Sequence, residues 1–522
     1  MNTMTKPLAR ALFLRTLFGA FTLAPTVHAQ DAARVRSAVH AFQQAHDVEI
    51  VRDLADFLAI PNLARDSVNI RRNARQIMQM LERRGIPAQL LESPGSPPAV
   101  FGELRTPGAT KTIVFYAHYD GQPVDTTQWL TPPWSPTLRA RVGGEIIPLP
   151  TEPGTVQGES RLYARSAGDD KSPIIAFLAA LDALRASNIK PSVNLKFFFE
   201  GEEEAGSPHL REMLTRHKDV LASDLWVFGD GPVHQSRRQQ VVFGVRGTMG
   251  LELTVFGPNR ALHSGHYGNW APNPLMRLAT LIASVRNNDG RILIDRFYGD
   301  VRPMSRAERD AIATVPAPDS ALRVELMLGA TEANNAPLME RIMLPALNVR
   351  GISGGGVGEF AANTIATSAR ASIEFRLVPN QTPSRIRELF EAHVRKRGFF
   401  IVHRDPTAEE RLSHAAILKL EWEEGYPAQR ADMSLPVSRA IVRAVERGVG
   451  DRVIVVPTTG GSAGLYHFDE VLRTPIVSVP IVNHDNSQHA ANENLRLQNL
   501  LDGMQVYAGI IAHLGHLWSE TP

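Results

Sequence analysis

The chain has 522 residues, 43% of them apolar and 21% charged, with a formal net charge of +2. That length exceeds what one hydrophobic core usually serves, so two domains are expected. The composition excludes a disordered or fibrous chain, and the charge argues against a nucleic-acid or polybasic membrane partner. The absence of cysteine excludes disulfides, thiolate metal sites and a cysteine nucleophile.

Residues 1–29 read as a signal peptide. Lys6, Arg10 and Arg15 precede or flank an apolar run from Ala11 to Ala24, and Val27-His28-Ala29 has the form of a small-residue cleavage site. The run is too short and interrupted for a transmembrane helix of about 20 residues. Its removal takes away three positive charges and no negative one, leaving a nearly neutral chain. An exported protein, periplasmic or secreted, is the expectation, and a chain without thiols suits such an oxidising place.

The catalytic part is expected over 30–246 and again over 426–522. Helical patterns open it at Ala32–Leu58 and Asp66–Arg84, the second closed by Gly85. Short strands follow at Ala88–Leu91 and Ala99–Leu104, then a buried strand ending at His118. Ser172 and Pro173 read as N-cap and first position of a helix over Ile174–Leu184. Strands alternating with helices predict an α/β fold, a mixed but mostly parallel sheet with helices on both faces. Near Gly244–Gly247 the pattern changes. Met249–Phe256 and Ala371–Val378 alternate as half-buried strands, and Pro274–Val285 and Pro383–Arg397 are amphipathic helices. They predict an inserted α+β lid or dimerisation domain over 247–425. Gly351–Gly358 is glycine-rich but lacks the strand-to-helix context of a phosphate cradle. A last long helix is expected over Glu493–Leu517.

Five segments each offer a metal-binding side chain, expected at the end of an apolar run: His118, Asp169, Glu204, Asp230 and His489. A buried strand stopping at such a residue aims it into the crevice at the carboxyl edge of an α/β sheet. Two imidazoles and three carboxylates suit two divalent ions, since zinc accepts both donor types. Asp120 lies two residues from His118 and can accept its ring N–H. A neighbouring glutamate outside the ligand set is what a hydrolase needs as general base. Each residue alone has a bland alternative: a surface His–Asp pair, a solvated Asp-Asp-Lys turn, a charged Glu triplet, a structural histidine. The shared order is what argues for a site.

These residues resemble the co-catalytic di-zinc exopeptidases, a family that includes carnosinases and cytosolic-type dipeptidases, carboxypeptidase G, aminoacylase and succinyl-diaminopimelate desuccinylase. The resemblance runs through the whole chain after residue 29. It implies that His118 and Asp230 bind one Zn2+, Glu204 and His489 the other, and that Asp169 bridges them. Mn2+ or Co2+ are possible substitutes. It also implies that Asp120 orients His118 and that Glu203 is the catalytic base.

Leu262-His263-Ser264-Gly265 resembles the motif whose histidine reaches the partner subunit's active site, which implies a homodimer. Glu374 to Pro379 resembles the motif whose arginine, here Arg376, binds the substrate carboxylate. Thr459-Gly460-Gly461-Ser462 resembles the Gly-Gly-Ser loop, placing Gly461 and Ser462 among the substrate contacts. Dipeptidase relatives carry an acid where this chain has Thr459. Ser172 stands for the usual glycine after Asp-Asp-Lys, and Ala205 for a serine after the glutamate pair.

The expected activity is hydrolysis of the amide bond of dipeptides or of a C-terminal residue. Deacylation of N-acyl amino acids is the alternative. A binding protein on a decayed peptidase scaffold would have lost Glu203 or Asp169, and both are present. The partners expected are a small peptide or N-acyl amino acid, with no nucleic acid and no membrane.

Overall fold

A computed structural model describes residues 27–520. The proposed signal segment lies outside the described residues except for 27–29, which begin the first helix, Val27–Leu58. Among the described residues no helix is long and apolar enough to cross a membrane.

The larger sheet has eight strands. From one edge they run Ala88–Leu91, Ala99–Leu104, Asn194–Glu200, Thr112–His118, Leu225–Phe228, Ile476–Ser478, Gln240–Val242 and Ile454–Val456. The four central strands, from Asn194–Glu200 to Ile476–Ser478, are mutually parallel. Ala99–Leu104 and Gln240–Val242 join them antiparallel at the two sides, the first pairing antiparallel with Ala88–Leu91 and the second parallel with Ile454–Val456. The middles of the central strands are apolar on both sides, as in residues 113–117, 197–199 and 225–228, because both faces are covered. Ile113, Phe115, Phe197, Phe199 and Val227 pack on the side of the helices Val27–Leu58, Lys171–Ala186, Pro436–Val449 and Leu497–Glu520. Val114, Tyr116, Phe198, Trp226 and Phe228 pack on the other, with helices Leu210–Arg216 and Tyr466–Leu472. The fold is therefore a mixed α/β sheet with helices on both faces.

Local details follow from the chain. Gly85, at φ +65°, ends the helix Ser67–Glu82: its N–H donates to Glu82 O, and the Ile86 N–H to Leu81 O. These are the two bonds of a left-handed C-terminal cap that glycine adopts without steric cost. The helix expected to start behind Ser172 begins at Lys171 instead, with Asp170 at its N-cap position. Pro173 is tolerated within the first turn, where backbone N–H groups have no intrahelical acceptor. The last helix starts at Leu497, not Glu493, because Asn494–Arg496 pairs as a strand with Arg161–Tyr163.

The second sheet has five strands, in the order Ala346–Ser353, Ser368–Leu377, Gly247–Phe256, Ile417–Trp422 and Phe400–Val402. Sequence patterning found the two central ones. Their odd-numbered residues, Met249 to Val255 and Ala369 to Leu377, pack with helices Pro274–Val285 and Pro383–Lys396. The even-numbered Thr248, Glu374 and Arg376 lie on the opposite face. The chain enters this unit through Gly244–Val245 and leaves it through Gln429–Arg430, two segments paired antiparallel. A Cβ on Gly244 would fall 2.4 Å from Gln429 O, so that crossing admits only glycine.

Residues 302–343 belong to neither sheet and were not foreseen as a separate element. Val315 and Met339 pack on Val242, Ile454 and Val456 at the edge of the larger sheet. Buried Glu308 pairs with Arg302 at 2.7 Å and Arg430 at 3.0 Å, tying this insertion to the crossing.

Candidate metal centre

Three adjacent parallel strands deliver three of the five metal-type residues to one edge. His118 ends one strand, Asp230 lies two residues beyond the next, and Glu203 and Glu204 form a 3-10 turn after Asn194–Glu200 on the other side. Asp169 and His489 do not end strands of this sheet, contrary to the expectation. Asp169 precedes the helix Lys171–Ala186, and His489 lies in the loop between strands Ile476–Ser478 and Asn494–Arg496. The crevice is closed from two sides by loops, so side chains meet there from outside the strand ladder.

Asp169 is the hub. Its Oδ1 lies 2.8 Å from His118 Nε2, and its Oδ2 lies 3.0 Å from His489 Nε2. Glu204 Oε2 is 3.3 Å from the same His489 nitrogen. Ligand atoms of His118, Asp169 and Glu204 all lie within 4.8 Å of one another. Glu203 Oε2 stands 4.0 Å from His118 Nε2, close to the cluster but off its shortest contacts. His118 and Asp169 are buried, whereas His489 is exposed.

Asp120 has two contacts. Its Oδ1 lies 3.4 Å from His118 Nδ1, and its carboxylate accepts the backbone N–H groups of Glu203 and Glu204 at 3.1 and 3.0 Å. It therefore holds the glutamate turn against the His118 strand.

The electrostatics call for a cation. Burial, then repulsion from Asp169, pushes Glu204 up to about 8 and Asp230 up to about 6. Burial also raises Glu203 well above the usual range. Asp169 is desolvated too, yet the His118 charge and its hydrogen bonds hold it below the ordinary carboxylate range. His489 is raised by its bond to Asp169. Four carboxyl groups and two imidazoles crowd one desolvated crevice, where the raised carboxyls hold protons that divalent ions would displace. The mixed nitrogen and oxygen donors fit zinc. The residues present fit the group.

Several supporting residues escaped sequence reading. Glu493, fully buried, accepts the backbone N–H groups of Ser166, Gly168 and Asp169 at 3.0, 2.9 and 2.9 Å, and pairs with Arg165 at 2.8 Å. It fixes the loop that carries Asp169. Lys171, also buried, donates to Phe57 O and Ile60 O at the end of the first helix. Gln122 donates to Glu204 Oε2 and Gln488 to Asp169 Oδ2, both at 2.7 Å. Lys171 in the Asp-Asp-Lys turn and Gln488 beside His489 were signalled only by their neighbours in the sequence, Glu493 and Gln122 by nothing.

Beyond the cluster, Asp230, Gln488, Thr459, Gly461 and Ser462 line one cavity of about 330 Å³. Arg376 reaches that loop from the second sheet, Nη1 donating to Ser462 Oγ at 2.7 Å while Nη2 pairs with Glu374. His263 is not brought to the cluster within its own chain. It sits exposed on the two-stranded ribbon of Leu262–His263 with Thr364–Ile365, its Nδ1 accepting the Gly265 N–H.

The model of peptidase family M20/M25/M40 matches residues 114–513. The chain belongs to that family. Membership makes it a metallopeptidase, an amide hydrolase. Among its relatives is the human Beta-Ala-His dipeptidase, 25% identical over 504 residues that cover 92% of each chain. The Cys-Gly metallodipeptidase of Schizosaccharomyces pombe is 25% identical over 429 residues, 80% of this chain and 83% of that one. A solved M20-family metallo-carboxypeptidase from Sulfolobus solfataricus superposes with a TM-score of 0.70 at 26% identity, covering 90% of this chain and 99% of its own. Human carnosine dipeptidase 1, at TM-score 0.67 and 22% identity over 92% and 99%, shares the fold.

Proposed function

We propose that this family member is a dipeptidase or C-terminal exopeptidase working with two divalent ions, zinc by its donor set. One observation carries the reading: the two oxygens of Asp169 face two different histidines, the arrangement a carboxylate needs to bridge two cations. His118 and Asp230 would hold one ion, Glu204 and His489 the other, with Asp169 common to both. Bound there, the ions supply a polarised scissile carbonyl and a water acidified toward neutrality.

Glu203 then takes the water proton and passes it to the leaving amine. Burial raises its affinity for a proton above that of an ordinary carboxylate, which suits a group that must take one up. Asp120 keeps the His118 ring and the Glu203 backbone in one relation. Arg376, held by Ser462 and Glu374, meets the substrate carboxylate and confines cleavage to a bond near a free C-terminus. His263, exposed and apart from its own cluster, donates to the substrate carbonyl oxygen in the site of a second subunit, which makes the working unit a homodimer. The dipeptidase activities named for the relatives support a dipeptide substrate. Export of the chain is proposed on the sequence of residues 1–29 alone.

Deacylation of N-acyl amino acids is a second reading, favoured by one residue. Thr459, uncharged, lines the cavity beside Asp230 where an acid would pair with a free substrate amine. A screen of free dipeptides, N-acetyl and N-formyl amino acids with zinc, manganese and cobalt separates the two: turnover of N-acyl amino acids alone overturns the first. Metal analysis tests the centre. Two ions per chain are expected, and Asp169→Ala should lose both; a fully active protein with one ion overturns the bridge.

A further inference from the structure

We propose that Arg246 is a second carboxylate-binding arm of the substrate pocket, acting beside Arg376 on the carboxyl end of the substrate. The inference rests on the reading above that the substrate ends in a free carboxylate, and it assigns a residue which that reading leaves out.

The two arginines meet three consecutive loop residues, their guanidinium groups bonding Gly460 and Ser462. Arg246 stands at the crossing into the second sheet, directly before the strand Gly247–Phe256. Its backbone N–H donates to Gly461 O at 2.9 Å and its Nε to Gly460 O at 3.1 Å. Arg376 reaches the next residue, Ser462, from the neighbouring strand, where it lies directly opposite Thr248. Two arginines from different segments thus flank one loop, and Gly461 and Ser462 of that loop line the cavity that also holds Asp230 and Gln488.

The two differ in what remains available. Arg376 already has Glu374 on Nη2 and Ser462 on Nη1. Arg246 has a single side-chain bond, from Nε, so both terminal nitrogens keep N–H groups with no partner among the described residues, and no described carboxylate pairs with it. It is half-buried. Burial, then the charge of Arg376, presses it down to about 10, and Glu374 offsets only part of that. A guanidinium in this state is an under-compensated charge, costly in a desolvated cleft until an anion arrives. A planar fork with both ends open is the geometry that takes a carboxylate through two parallel bonds.

A purely structural Arg246, pinning the Gly460 carbonyl, would be indifferent to charge on the substrate. The test therefore reads a ratio. For wild type, Arg246→Met, Arg246→Lys and Arg376→Lys, kcat and KM are measured on alanyl-leucine and on its C-terminal amide, with metal content checked for each. Arg246→Met keeps the aliphatic stem and should lower the free-acid preference about tenfold to a hundredfold, through KM, while amide turnover and metal content stay constant. Arg246→Lys should recover part of it, since charge returns without the fork.

An unchanged preference in Arg246→Met, with a reduced one in Arg376→Lys, overturns this inference and leaves the proposed function standing. Equal losses on acid and amide assign Arg246 a structural role and overturn it as well. No preference for the free acid in wild type overturns the carboxylate-directed reading, and this inference with it.

Discussion

Replacing Glu493 by glutamine changes one oxygen into an NH2 group at a position with no solvent. The carboxylate serves four donors: Oε1 takes the N–H groups of Gly168 and Asp169, and Oε2 takes those of Ser166 and the Arg165 side chain. In either orientation the new amide meets two of these donors with hydrogens of its own. Either way the buried Arg165 guanidinium loses its counter-charge, and removing one partner of a buried pair costs about 3–5 kcal/mol. We therefore expect Glu493→Gln to lose about 3–5 kcal/mol in urea unfolding of the metal-free protein, followed by tryptophan fluorescence. The loop in question carries Asp169, so metal affinity should also fall, by the 10–100-fold typical when a ligand loses its support. A loss under about 1 kcal/mol with unchanged metal affinity would refute the account.

Glu203→Gln should keep its metals and lose about 10²–10⁴ in kcat, whereas Glu204→Gln should lose one ion; metal analysis beside single-turnover rates shows whether the two behave the other way round. Metal binding should release protons at pH 7. Glu204, raised to about 8, is mostly protonated there without a cation and must ionise to coordinate one. Zinc titration calorimetry in buffers of different ionisation enthalpy reads this, and heats independent of buffer contradict it. Mixing inactive His263→Ala chains with inactive Glu203→Gln chains should restore activity up to about a quarter of wild type, because half the dimers are hybrids with one intact site. Subunit exchange confirmed by mass without returning activity excludes a role for His263 across the interface.

What was legible in the sequence is what strand geometry dictates. Apolar runs ending at His118, at the Glu203–Glu204 turn and at Asp230 become three neighbouring parallel strands, because runs covered on both faces must lie inside the sheet. Asp169 and His489 are legible only by their chemistry, and loops rather than strand ends bring Asp169 to His118 and His489 to Asp169. The α/β class followed from alternation in the same way. The insertion over 302–343 did not, since its helices span nine residues or fewer and one of its anchors is an ion pair between Glu308 and Arg430, far apart in the chain.

Two of the residues that were missed, Glu493 and Lys171, act on backbone groups. Glu493 binds three main-chain N–H groups and Lys171 binds two carbonyls, while Asp120, expected from the sequence only as the partner of His118, also binds two N–H groups. A side chain that pairs with backbone has no partner residue type, so no spacing or composition betrays it. Yet these are the contacts that fix the loops on which the ligands ride. The cluster holds like-charged groups that repel one another, and loops free to move would separate them. Glu493 and Asp120 oppose that separation from the two sides of His118, one through the Asp169 loop and the other through the glutamate turn. The protein thus holds together the carboxyl groups a cation requires at the expense of its own metal-free stability, and Glu493→Gln and the proton-release titration probe the two halves of that balance independently.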